Sequence, residues 1–264
     1  ALPVAARGQA APELVITPTT HKTGAPLAPR GKAKGPGEAA AREPKLVVLI
    51  VADQLRADTL KRFRPLLSGE GLLRLARGAT AVGHYGQQNT YTGPGHALIA
   101  TGSYGYLNGI TQNKWFNRQS GRSEAMMFDP GAKVLGEKDG GAEDETSPRN
   151  LLGTTIFDEL RLASPAAKVV AIALKGRGAL LLGGQTGTAY FFSDQFGGFT
   201  TTSYYAAEPP GWVKAWNGRK LADAAFGKKW ERLLPAASYQ GVDDSPSEDN
   251  VKGLGRTFPH PLTG

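Results

Sequence analysis

The sequence predicts an α/β fold, with a mostly parallel central sheet and helices on both faces. Three observations carry that expectation. The runs KLVVLIVAD at 45–53 and KVVAIAL at 168–174 are aliphatic and β-branched throughout, the pattern of strands buried on both faces. Segments with helical spacing are interleaved with the strand-like runs, and such alternation favours a parallel sheet. A chain of 264 residues, 40% hydrophobic and 20% charged, has enough apolar material for a real core.

Along the chain, residues 1–44 are rich in Ala, Pro, Gly and Lys without hydrophobic period and read as an extended N-terminal arm. The opening ALPVAARGQAAPEL is expected to be the start of a mature, processed chain. The first strand runs to Asp53, and a leucine-striped helix spans about 65–77, with Gly69 and Gly71 interrupting its start. ATAVGHY at 79–85 reads as a further strand. A helix then opens at NTYTGPGHALIATG, with Pro94 suited to its first position and Thr92 at or near the N-cap. Residues 118–150 are polar, ending in a long surface loop; 151–162 form a helix, and 168–174 and 188–193 are strands. Residues 206–264 are an irregular Trp/Pro/Gly-rich excursion containing Trp212, Trp216 and Trp230, and the end at FPHPLTG reads as an interruption.

Composition removes several function classes. Without cysteine there are no disulfides, thiolate metal sites or cysteine nucleophiles, which fits an exported, periplasmic or secreted protein. The net charge of +8 is spread along the chain with no aromatic-interleaved basic run, so no specific nucleic acid is expected. The longest apolar run, 46–52, is far short of the roughly 20 residues that span a bilayer. The phosphate-loop, H-E-x-x-H and G-x-S-x-G patterns are missing from the sequence. The histidines are His21, His84, His96 and His260, and His96 reads as a packing residue of the first helical turn.

In α/β sheets ligands bind beyond the carboxyl ends of strands. Asp53 follows the first strand, Thr92 opens the helix after the second, and Lys175 and Arg177 follow 168–174. Thr92 has two readings. It is either a capping residue or a nucleophile at a helix N-terminus that favours an anion such as phosphate. A threonine hydroxyl needs activation, and a divalent metal with Asp53 as oxygen ligand would supply it. Lys175 and Arg177 would neutralise phosphoryl oxygens.

Taken in order, LIVADQLRAD, YTGPGHALIATG, GITQNKWFNR, SPRNLLGTTIFDEL and ALKGRGALLLGG resemble the alkaline phosphatase superfamily. More narrowly they are similar to its threonine-nucleophile phosphate monoesterases, related to nucleotide pyrophosphatase/phosphodiesterases. The resemblance covers 45–205, as the N-terminal part of the catalytic domain, and runs more loosely to 264. It implies that Asp53 is a zinc ligand, Thr92 the metal-bound nucleophile, and Asn113 the amide that holds a phosphate oxygen. It implies that Lys175 and Arg177 are the K-x-R pair of the monoesterase branch, catalytic and substrate-binding together with Asn113. The expected cofactor is zinc, two ions in the complete enzyme, and the expected ligands are small phosphomonoesters and inorganic phosphate.

The family's later zinc ligands, an Asp-x-x-x-His, an Asp-His pair and a last His, have no counterpart here. The chain is therefore expected to be the N-terminal part of a longer enzyme, completed by a C-terminal half and poorly active if it truly stops at 264. Two rival readings stand beside this one. One is a phosphodiesterase or phosphonate monoester hydrolase on the same scaffold. The other is a non-catalytic phosphate-binding fragment.

Overall fold

The computed structural model describes residues 44–138 and 144–263. The expected arm lies outside them apart from Pro44. The chain divides between Val51 and Ala52 into two units. In the first, the described residues 44–51 are in no regular strand, and Leu46, Val47 and Ile50 are exposed. The expected strand at 45–53 is thus not formed. An apolar run supplies strand propensity, but a strand exists only once its backbone groups pair with a neighbour.

The second unit carries the remaining elements. α1 (Thr59–Phe63) comes first, and the expected helix over 65–77 is two short pieces, a 3-10 turn at Arg64–Leu66 and α2 (Leu72–Leu75). Pro65 sits inside the 3-10 turn, and Gly71, at φ 66°, stands where no continuous helix can pass. Residues 79–85, expected as a strand, are irregular. Then come α3 (Thr92–Thr101) and α4 (Gly105–Asn108), each stopped by a left-handed glycine. β1 (Lys114–Asn117) and β2 (Arg122–Ala125) form an antiparallel hairpin.

After the hairpin, the segment expected as polar surface turns inward, with Met126, Met127, Thr146 and Ser147 buried. α5 (Ile156–Ala163) starts later than expected because Thr155 caps it in a reciprocal box with Asp158. The sheet follows: β3 (Val170–Ala173), α6 (Gly176–Gly183), β4 (Thr188–Ser193) and β5 (Gly198–Thr200), in the order β3-β4-β5. β3 and β4 are parallel, joined through α6, and β5 turns back antiparallel. This is a βαβ crossover of the kind the sequence pattern implied. β3 is an edge strand, and its Val170 and Ile172 are exposed. The excursion at 206–264 is less irregular than expected: it holds α7 (Gly211–Asn217) and the paired β6 (Lys229–Trp230) and β7 (His260–Pro261).

The core gathers Ala97, Ile110, Met126, Met127, Leu151, Leu180, Leu181 and Phe191. Helix α6 packs on β3 and β4, and α3 packs on α6. That stacking sets the candidate site, because α3 begins at Thr92 and α6 begins one residue after Lys175.

Candidate active site

Tyr91 is the N-cap of α3, so Thr92 is its first residue and Pro94 its third, two positions later than the sequence suggested. No side chain caps this helix. The Thr92 hydroxyl instead donates to Asp53 Oδ2 at 2.8 Å, across 39 residues of sequence. The capping reading of Thr92 is therefore not the one realised. Asp53 is exposed and Thr92 half-buried, so the pair faces solvent. Beside Asp53, Gln54 has φ 57°, a left-handed conformation that costs a non-glycine residue roughly 1 kcal/mol or more.

The next residue ties in the asparagine. Gly93 N–H donates to Asn113 Oδ1 at 2.8 Å, engaging the amide oxygen. The NH2 end of Asn113 has no protein partner among the described residues and remains a donor. Glycine at 93 is a matter of space. A Cβ there would lie 2.3 Å from Met126 Sδ and 2.9 Å from Asn113 Oδ1. His96, also buried, places Nδ1 2.8 Å from the Thr92 carbonyl. A carbonyl only accepts, so Nδ1 carries the hydrogen. His96 thus braces the helix start, as the sequence implied.

The helix that starts beside Lys175 and Arg177 packs on α3. Gly178 of α6 lies against His96, whose Nε2 would be 3.6 Å from a Cβ at 178. Lys175 is the exposed N-cap of α6, and Arg177, half-buried, is its second residue. The structure adds one residue the sequence reading missed. Glu145 Oε2 accepts the Arg177 backbone N–H at 2.5 Å, and Oε1 lies 2.7 Å from Arg177 Nε. Burial pushes the Glu145 carboxyl above its ordinary range, while Arg177, its N–H, Lys175 and Lys114 pull against that rise. Glu145 stands in GEKDGGAEDETSPRN, which reads as solvated loop; the one local signal was the glycine between Lys175 and Arg177.

Asp53 and Thr92 offer two hard oxygens at hydrogen-bond distance, a donor pair suited to one edge of a zinc site. Among the described residues, no three His, Cys, Asp or Glu side chains gather around a common point. The pair fits part of a metal site and not a whole one.

Residues 47–251 match the model of the type I phosphodiesterase/nucleotide pyrophosphatase family. The chain belongs to this family. Alkaline phosphatase PhoV of Synechococcus elongatus is 37% identical over 82% of the chain and 40% of its own length. A Myroides odoratus protein named calcium-transporting ATPase is 34% identical over 83% of the chain and 41% of its own length. The crystal structure of wild-type alkaline phosphatase PafA superposes with a TM-score of 0.73 at 32% identity, covering 79% of this chain and 41% of PafA. Another PafA structure, in which one Thr is replaced by Ser and an Asn, a Lys and an Arg by Ala, gives 0.71. The α/β class follows from these superpositions, as does membership of the alkaline phosphatase superfamily. The chain spans about two fifths of the length of the curated relatives it matches.

Proposed function

We propose that this chain carries the nucleophile-bearing part of a zinc-dependent phosphate monoesterase that works through a phospho-threonine intermediate. The observation that carries the reading is the Thr92 hydroxyl held on the Asp53 carboxylate at the mouth of α3, where a capping hydroxyl would have turned back to the helix. The PafA variant adds support. The intervals between its replaced Thr, Asn, Lys and Arg are 21, 62 and 2 residues, which are the intervals separating Thr92, Asn113, Lys175 and Arg177.

In this reading Thr92 Oγ1 attacks phosphorus in line, forming the Thr–O–P bond as the ester P–O bond breaks. Water then cleaves the phospho-threonine and releases inorganic phosphate. The Asn113 NH2, fixed by its own oxygen on Gly93, holds one equatorial oxygen. Lys175 and Arg177 hold the others as charge redistributes. Asp53 and Thr92 are the residues of this chain that would hold zinc, the remaining ligands of two ions coming from a C-terminal half. When bound, the metal supplies the charge that lowers the hydroxyl pKa and stabilises the leaving oxygen. Substrates are small phosphomonoesters, and the setting is periplasmic or secreted.

The test is covalent labelling. Incubation of the full-length protein with a phosphomonoester and acid quench should trap phosphate on Thr92, and Thr92→Ala should trap none. Labelling that survives in Thr92→Ala would remove the assignment. The family model's phosphodiesterase description favours a second reading, diester hydrolysis on the same scaffold. The two cations argue for monoesters, whose dianion carries one more charge.

A further inference from the structure

We propose that Glu145 is a positioning residue for Arg177, holding the guanidinium by its Nε edge so that the two terminal nitrogens are presented to the phosphoryl oxygens. The inference rests on the reading that Arg177 binds the transferring group.

Four features converge on it. First, the grip is two-point: one carboxylate oxygen accepts the backbone N–H of Arg177, and the other lies 2.7 Å from its Nε as an ion pair without hydrogen-bond alignment, neither of those two buried atoms having a hydrogen-bond partner. Backbone and side chain of one residue are therefore held by one partner. Second, the grip leaves something over. Nη1 and Nη2 have no protein partner among the described residues, and that fork matches two oxygens of a phosphoryl group.

Third, the spacer in Lys-Gly-Arg is explained by it. Gly176 is not among the positive-φ glycines, so its backbone conformation does not demand glycine. A Cβ there would stand 3.0 Å from Glu145 Oε2 and 3.2 Å from Glu145 Cβ. Glycine makes room for the carboxylate to reach the helix. Fourth, α6 begins without a side-chain cap of its own. The Arg177 N–H is one of the orphan donors of its first turn, which the Glu145 carboxylate satisfies, with its charge at the favourable end of the dipole.

The Glu145 side chain is only 10% exposed and that of Arg177 22%. Burying a carboxylate is costly, and Arg177, Lys175 and Lys114 offset only part of that cost. A long cationic side chain left to itself would sample many rotamers. Fixing it before substrate arrives removes that loss from the bound state.

The experiment compares kcat/KM for p-nitrophenyl phosphate and bis-p-nitrophenyl phosphate in the full-length protein. The variants are Arg177→Ala, Glu145→Ala, their double variant, Glu145→Gln and Gly176→Ala. Glu145→Ala should lower monoester kcat/KM by ~10-fold or more, with a much smaller effect on the diester. The double variant should be no worse than Arg177→Ala alone, within about twofold, because both changes remove the same oriented group. Gly176→Ala, which crowds the carboxylate without deleting it, should reproduce the monoester-selective loss, as should Glu145→Gln, which keeps an acceptor for the N–H but faces Nε with a donor. Additive losses in the double variant overturn the inference. So does a wild-type Glu145→Ala beside an impaired Arg177→Ala, and so does a parallel loss on both substrates in Glu145→Gln and Gly176→Ala, which a folding defect would give. An Arg177→Ala enzyme with undiminished monoester turnover fails differently: it overturns the role of Arg177, and with it the positioning role.

Discussion

Two glycines two residues apart on α3 should respond to alanine with opposite signs. At Gly93 an added methyl would lie 2.3 and 2.6 Å from Sδ and Cε of Met126, which is fully buried, and 2.9 Å from Asn113 Oδ1. Overpacking of this kind costs about 1–3 kcal/mol. Displacing the Asn113 oxygen also breaks its bond to the Gly93 N–H, worth about 0.5–1.5 kcal/mol. Gly93→Ala is therefore expected to lose roughly 2–4 kcal/mol. At Gly95 nothing lies within 4 Å of the added methyl, and the residue is the fourth of α3, its N–H already bonded to the Tyr91 carbonyl. There the gain in helix propensity should stabilise by about 0.5–1 kcal/mol.

Urea unfolding and thermal melts measure both variants against the parent. At about 2–4 °C per kcal/mol for a unit of this size, Gly93→Ala should drop Tm by roughly 5–15 °C while Gly95→Ala raises it slightly. Shifts of the same sign, or a neutral Gly93→Ala, would refute the packing argument. Phosphate affinity should follow stability at Gly93, because the same methyl moves the Asn113 amide, and should be untouched at Gly95.

Three further outcomes are expected. Replacing Lys175 and Arg177 together by Gln should lower monoester kcat/KM by ~10²–10³-fold with far less effect on diesters; equal losses would show that the pair does not select charge. Asp158 is buried, which alone would raise its pKa, yet donors on Thr155 and Thr186 outweigh this and hold it below its ordinary value of 3.8. Its stabilisation is thus present above 3.8 and lost as pH falls through the depressed folded value. Acid unfolding curves of the parent should be steeper there than those of Asp158→Asn, and parallel curves would refute the point. Zinc analysis should find two ions per full-length chain and weak retention by these 264 residues alone; Asp53→Ala should lower the full-length content, and an unchanged content would remove Asp53 as a ligand.

How far the fold could be read depended on whether the deciding partner was local. β4 spans 188–193, the residues TAYFFS that the sequence reading assigned, and β3 lies inside KVVAIAL. The run at 45–53 has the same composition but no ladder, and composition does not encode a ladder. The hairpin at 114–125 was missed although it carries a signal. The Asn117 side chain accepts the Gln119 N–H at 2.8 Å, a turn that Asn initiates readily, and Gly121 takes φ 68°. At the site, Asp53, Thr92, Lys175 and Arg177 stood out because each is a polar residue beside an apolar or glycine-rich run, whereas Asn113 was indicated by the family resemblance alone. Glu145 did not, because what distinguishes it is the residue it meets 32 positions later.

The seam between α3 and α6 has a consequence of another kind. Where they meet, His96 of one helix lies over bare glycine backbone of the other, and Gly93 and Gly176 are closed in on neighbouring chain. The two helix mouths are consequently hemmed in by their own glycines, and a side chain added at Gly93 or Gly176 would press on Met126 and Asn113 or on Glu145.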